Sequence, residues 1–334
     1  MDASIHKIRE NISAVEMAKR IKKLVGFGPR HAGTKREHEA AKYVENEYLK
    51  VGLEVKTDRV KGIIDWKLND CRVRIVEPIK QELTSTALMG SGSTLKNGII
   101  AELLYVGRGL AEDYQKQSFK GKFVMKDPPR IFVLENASDE SAPQGFTKML
   151  IDGGAAGIVE HARTPGRILS MPLVSGPEGV SIPAITVTYE DGQYLKELMR
   201  EWYTTIGGYR RRTDYNPVKL NINVDAQSKK SYGINVIARI KGYKEPEECI
   251  CLVAHHDNAN GPGANDNAAA VSTNIQVAKA LKKMPQPKRT IEFISLTGEE
   301  YGEIGGDDYV NRYVKSNPKK YKGVLNMDMI NILI

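Results

Sequence analysis

No run of apolar residues in this sequence approaches the ~18 needed to cross a bilayer. The opening stretch, MDASIHKIRENISAVEM, is charged and amphipathic and lacks the apolar core of a signal peptide. These two absences predict a cytoplasmic protein, or a secreted one if a leader has been removed. Cysteine is scarce: Cys71, Cys249 and Cys251 make no even set for a disulfide framework. Cys249 and Cys251 lie in the apolar run CICLVA, which reads as a buried strand whose alternate residues share a face. A metal site there would need further thiols or histidines at ligand spacing, so both are read as core residues in a reducing compartment. Internal repeats and low-complexity tracts are also missing. With 41% hydrophobic and 27% charged residues, disorder and collagen-like structure are excluded. No G-x-S-x-G elbow exists, since MGSGST has the wrong spacing, and GRGLAED lacks the lysine of a phosphate loop. The formal charge of +8 is scattered along the chain, without a recognition helix or an RNP-like aromatic run. Its densest patch, Tyr209-Arg210-Arg211-Arg212, sits among Gly, Tyr and Asn and reads as a solvated loop. Nucleic-acid and membrane partners are therefore not expected.

What is present is a chain of three parts. Val15, Ala18, Ile21 and Leu24 keep helical spacing until FGPRHAGT interrupts it. A second helix is expected over about 35–51, closed by Gly52 before the strand LEVKTDRV. The middle region changes to short strand-like runs, CRVRIVEP, GIIAELLYVG, KGKFVMK, RIFVLE, AAGIVEH and AITVTY, with a single helix near Phe146–Gly153. Their spacing predicts a small β-rich domain rather than more of an α/β sheet. From about Val218, strand and helix alternate: NVIARIKG, CICLVAH, the helix NDNAAAVSTNIQVAKALKKM, TIEFISL, the helix YGEIGGDDYVNRYV, then GVLNMDMI. That alternation predicts a parallel or mixed sheet covered by helices.

In such sheets, ligands gather outside the carboxyl ends of the strands, and metal-competent residues fall there in register. CICLVA runs into His255-His256-Asp257, the loop GPGAN delivers Asp266 at the mouth of a helix, TIEFISLTG runs into Glu299-Glu300, and GVLNM runs into Asp328. Imidazole and carboxylates suit zinc. On an extended segment His255 and Asp257 project to one side, so Asp257 can accept the proton of the second imidazole nitrogen and set its tautomer. His256 points the other way and is read as structural. Of the adjacent glutamates, one can bind metal while the other stays free to deprotonate the attacking water.

At these residues a resemblance becomes specific. HHDNANGPGANDNAAA resembles the H-x-D…G-x-N-D-N segment of the M28 family of co-catalytic zinc peptidases, and GEEYGEIGG and NMDM resemble its E-E and N-x-D-M segments, in the same order. FGPRHAGTKREHEAAKYV and NVIARIKG extend the likeness. In the middle region GKFVMKDPPRIFVLE, DGGAAGIVEH and SIPAITVTYEDGQYL look like the protease-associated (PA) domain that many members carry as an insertion. The resemblance implies a three-layer α/β/α zinc-exopeptidase sheet, mixed and mostly parallel. It would be assembled from residues 1–60 and 210–334, with a PA-like domain at 61–209 inserted between them. It implies that His255 and Asp328 hold one zinc, Glu300 the other, and Asp266 both. Glu299 would be the general base, supported by Asp257, and the peptide after Asp266 would be cis. The expected activity is hydrolysis of terminal peptide bonds. Family frequency favours an aminopeptidase over a carboxypeptidase, and the rival reading is a binding protein that kept the fold and lost turnover.

The sequence also departs from the family. A second imidazole ligand is expected well beyond N-x-D-M, yet the histidines are His6, His31, His38, His161, His255 and His256. The chain is accordingly expected to lack the C-terminal part, to have one complete zinc site and to self-associate through its apolar last strand. His31 is the first substitute for the missing ligand.

Overall fold

The computed structural model describes residues 3–109, 117–128, 145–169, 178–199, 203–206, 209–212, 217–259 and 261–330. Contacts divide the chain into two compact units. The first comprises Met1–Asp65 and Lys229–Ile334, with 176–178 grouped alongside; the second comprises Trp66–Ser175 and Gly179–Ser228. The sequence placed the borders near 60/61 and 209/210. The observed divisions fall inside two long strands, β1 (Glu54–Glu77) and β10 (Lys219–Ile240), which run on from one unit to the other. A continuous strand carries no turn residues to mark such a border. Among the described residues no helix is long and apolar enough to cross a membrane.

The first unit begins with α1 (Ala3–Glu10), α2 (Ala14–Val25) and α3 (Lys35–Lys50). Ser13 and Thr34 start α2 and α3 by accepting hydrogen bonds from the main-chain N–H groups of Glu16 and Glu37, each at 3.3 Å. The sheet runs β13 (Tyr321–Asn326), β11 (Glu245–His255), β12 (Arg289–Leu296), β10. β11 is parallel to both neighbours, and β12 is antiparallel to β10. Parallel neighbours need crossovers. The first is α6 (Ala269–Lys282), between β11 and β12; the second is α7 (Ile304–Tyr309), between β12 and β13. Because strand side chains alternate, Val236, Ala238, Ala254 and Phe293 pack on one face with Leu24, Val44, Val271 and Ile275 of the helices. On the other face Ile237, Cys249, Cys251 and Ile294 pack with Tyr309. This is the expected mixed α/β sheet between helical layers.

In the second unit the strands β4 (Ile99–Tyr105), β5 (Phe123–Met125), β6 (Gly157–His161) and β7 (Ala184–Val187) lie parallel in sequence order. β3 (Ser85–Ala87) closes that edge antiparallel to β7, and β2 (Gln81–Leu83) pairs with β1. The region is rich in strands, as expected, but its centre is parallel, and among the described residues two helices accompany it rather than one: α4 (Phe146–Asp152) and α5 (Tyr189–Leu198). Gly192 hid α5 from the sequence pattern. It sits there because a Cβ would come within 2.4 Å of the His161 side chain. RIFVLE lies outside the described residues. The arginine patch is a strand, not a loop: β9 (Tyr209–Arg212) pairs antiparallel with β8 (Tyr203–Ile206). Tyr and Thr favour strands, and the Gly-Gly pair between YTTI and YRRR was the hairpin signal.

Asp127 shows how this unit holds a charge. Burial would raise its pKa, but His161 Nε2 at 3.1 Å, the Lys196 ammonium and the Tyr105 hydroxyl at 2.8 Å hold it well below the usual carboxylate range. A depressed carboxylate contributes stability above its unfolded pKa of ~3.9 and loses it as pH falls toward the folded value. Asp127→Asn is therefore expected to cost about 1–3 kcal/mol at neutral pH, with the deficit shrinking as pH falls below about 4. Urea melts of both proteins at pH 7 and pH 3 measure this. A deficit unchanged at pH 3 would show that the ionised carboxylate contributes nothing.

Candidate active site

The three parallel strands end at the same side of the sheet, and the predicted metal residues follow from their ends. His255 closes β11, Glu299 and Glu300 lie just past β12, and Asp328 lies just past β13. Asp266 comes from a single wide turn, Ala264–Ala268, at the head of α6. His255 Nε2 faces Asp266 Oδ1 at 3.2 Å, Asp328 Oδ1 at 3.5 Å and Glu299 Oε2 at 3.8 Å. The ligand atoms of His255, Asp266 and Asp328 all lie within 4.8 Å of one another. The imidazole is buried, whereas Asp266 and Asp328 keep 40% and 41% of their side chains exposed, so the group opens to solvent on its carboxylate side.

Glu300 stands apart from this group, its Oε1 accepting the Ala259 N–H at 3.0 Å. Asp257 is fully buried. Its main-chain oxygen lies 3.2 Å from His255 Nδ1 and its carboxylate 3.6 Å, so both atoms face the second imidazole nitrogen. Asp257 Oδ1 also accepts the Glu299 N–H at 3.3 Å. His256 points to the other face, between Glu37 Oε1 at 2.9 Å and Ser295 Oγ at 3.0 Å. His31 Nε2 lies 3.1 Å from the carbonyl oxygen of Ala259.

Motif reading missed the residues that hold the loops. Arg30 is fully buried and spends its guanidinium on main-chain oxygens: Nε on His256 at 2.9 Å, Nη1 on Pro262 at 2.8 Å and Nη2 on Gly263 at 3.0 Å. It thereby ties the β11 exit to the loop that carries Asp266. Burial lowers its pKa, and the charges of Asp257 and Asp266 oppose that. Gly263 sits at φ +62°, and a Cβ there would meet Arg30 Nη2 at 2.6 Å and the Asp266 oxygen at 2.7 Å. Asn267 follows a cis peptide bond and donates from Nδ2 to the Met327 oxygen at 2.9 Å, joining the Asp266 turn to the Asp328 segment. A lone Arg in FGPRHAGT has no periodicity that would announce this role; the nearest signal was its place in a Pro- and Gly-rich loop.

The charges show what the group can hold. His255 Nε2 and Asp266 Oδ1 are buried and have no hydrogen-bond partner among the described residues, an expensive arrangement for polar atoms unless something else satisfies them. Burial alone would lower the His255 pKa; the carboxylates of Asp257, Asp266 and Glu299 outweigh it and hold it up at about 11. The local field calls for a cation. Burial, reinforced by neighbouring acids, raises the Glu299 pKa. Burial also raises Glu300 to about 7, against the Ala259 hydrogen bond. One imidazole nitrogen and two carboxylate oxygens form a donor set that fits zinc, with a side left open.

Residues 235–333 match peptidase family M28. This segment of the chain is similar to that family. Aminopeptidase YwaD of Bacillus subtilis (strain 168) is 25% identical over 305 residues, covering 91% of this chain and 59% of that protein. Carboxypeptidase Q of Rattus norvegicus is 25% identical over 312 residues, covering 90% of this chain and 61% of that one. The chain thus spans about three fifths of the length of these curated relatives. The solved structure of BSAP, a zinc aminopeptidase from Bacillus subtilis, superposes with a TM-score of 0.70 at 23% identity, over 96% of this chain and 70% of that one. At that identity the likeness shows the fold. The matched family segment contains His255, Asp266, Glu299, Glu300 and Asp328.

Proposed function

We propose that this protein is a zinc-dependent exopeptidase acting at the amino end of peptides. The carrying observation is the convergence of Asp266, Asp328 and Glu299 on His255 Nε2 within 3.8 Å. His255, Asp266 and Asp328 would hold one zinc, and Glu300 with Asp266 would serve a second and weaker position. When bound, zinc supplies a Lewis acid that polarises the scissile carbonyl and makes water more acidic. Glu299 takes the proton of the attacking water and returns it to the leaving amine. Its partial burial favours that exchange, because a raised carboxylate pKa brings its proton affinity closer to that of the groups it serves. Asp257 and Arg30 act at one remove, the first fixing the His255 ring and the Glu299 main chain, the second the loops. The side chains facing the imidazole are carboxylates, which attract the free ammonium of a peptide's first residue and repel its terminal carboxylate. The similarity to the aminopeptidase YwaD supports the same end of the peptide.

The test offers zinc-loaded protein a free peptide, its N-acetylated form and its C-amidated form. Loss of the first residue from the free and amidated peptides, abolished by acetylation and by a zinc chelator, is the expected result. Cleavage from the carboxyl end would move the reading to a carboxypeptidase. Zinc binding without cleavage of any of the three would leave a peptide-binding protein instead.

A further inference from the structure

The helix-covered face of the sheet that carries Tyr309 holds a second group of ligand-type side chains. Cys249 and Cys251 lie two apart on β11, so their thiols share a face, and both are buried. Their sulfurs are 3.8 Å apart. Two thiolates bound tetrahedrally to zinc at ~2.3 Å would be separated by about that distance. The third member comes from the neighbouring strand. Glu292, fully buried on β12, stands beside Cys251 in the parallel ladder, and a ligand atom from each of the three lies within 4.8 Å of the others. Sequence spacing could not reveal it, because strand pairing brings it there.

The surroundings suit an anionic ligand set. Glu292 forms an ion pair with Arg239, whose Nε lies 2.9 Å away, and accepts from Lys320 Nζ at 3.4 Å and from the Tyr309 hydroxyl. The two cations offset most of the charge that two thiolates and a carboxylate would gather in the interior. Cys251 also lines a cavity of about 420 Å³ bounded by His255, Glu299, Tyr309 and Tyr321. The cavity therefore reaches Cys251 from the side of the candidate active site.

We propose that Cys249, Cys251 and Glu292 form a second cation site for a thiophilic divalent ion, zinc or cadmium, distinct from the His255 centre. Binding breaks two S–H bonds, forms two sulfur–metal bonds and releases two protons to solvent, with no change of oxidation state. The site does not depend on whether the His255 centre hydrolyses peptides.

Cadmium added to the full chain carrying His255→Ala is expected to raise an ultraviolet thiolate-to-cadmium absorption that saturates at one equivalent and releases two protons per ion. Cys71→Ala should leave that band intact, and Cys249→Ala or Cys251→Ala should remove it. A band that persists without either buried thiol, or that vanishes with Cys71, overturns the proposal. Because the buried substitutions could unfold the protein, X-ray absorption of the His255→Ala chain with one equivalent of zinc supplies a second reading. A shell of two sulfurs at ~2.3 Å is expected, and a shell of nitrogen and oxygen alone means that the thiols are simple core packing.

Discussion

Replacing Glu299 with alanine is expected to slow peptide hydrolysis by about 10²–10⁴-fold, the usual contribution of a positioned general base, while zinc at the His255 centre stays near its normal content. The reason is positional. Glu299 Oε2 approaches His255 Nε2 to 3.8 Å, but Glu299 is not part of the tight group formed by His255, Asp266 and Asp328. Its main-chain N–H is held by Asp257, which is itself buried behind the imidazole. The loss should appear in kcat more than in KM, because the proton is taken only as the reaction proceeds. Glu300→Ala is expected to weaken the binding of a second ion instead. The measurement is zinc content per chain beside steady-state kinetics for both variants. If Glu299→Ala strips the tight zinc and Glu300→Ala strips turnover alone, the two glutamates have exchanged roles.

Zinc itself is expected to change stability as much as any substitution in this chain. An ion that binds only the folded state, present at a thousandfold above its Kd, adds ~4 kcal/mol to the unfolding free energy. Here it would satisfy the buried His255 Nε2 and Asp266 Oδ1, which have no hydrogen-bond partner among the described residues, and relieve the crowding of Asp257, Asp266, Glu299 and Asp328 around one imidazole. Thermal melts with zinc and after chelation read the increment, and His255→Ala should forfeit it, keeping only what the thiol pair supplies. An increment of the same size in His255→Ala would place the tight ion somewhere other than at the end of β11.

Residue order alone carried much of the first unit. Period-two and helical spacing set which side chains face inward, so the alternation from NVIARIKG to GVLNM was legible in the sequence, and so was the burial of Cys249 and Cys251, although Ile250 between them is exposed. Parallel strands end on one side of their sheet, which made His255, Asp266, Glu299, Glu300 and Asp328 a set even though 73 positions separate the first from the last. Local patterns do not encode distances between strands, and there the tertiary structure decided. It placed Glu299 beside His255 and turned Glu300 toward the Ala259 N–H; it put the Asp257 main-chain oxygen, with the carboxylate, against Nδ1. It buried Arg30 among carbonyl oxygens that no motif marks, ran β1 and β10 through the division between units without a turn, and made a strand of the arginine patch. It also brought Glu292 to Cys251, 41 positions away in the chain and adjacent in the ladder. Spacing along the chain settles the face a residue occupies; only the pairing of strands settles which residues on that face are neighbours.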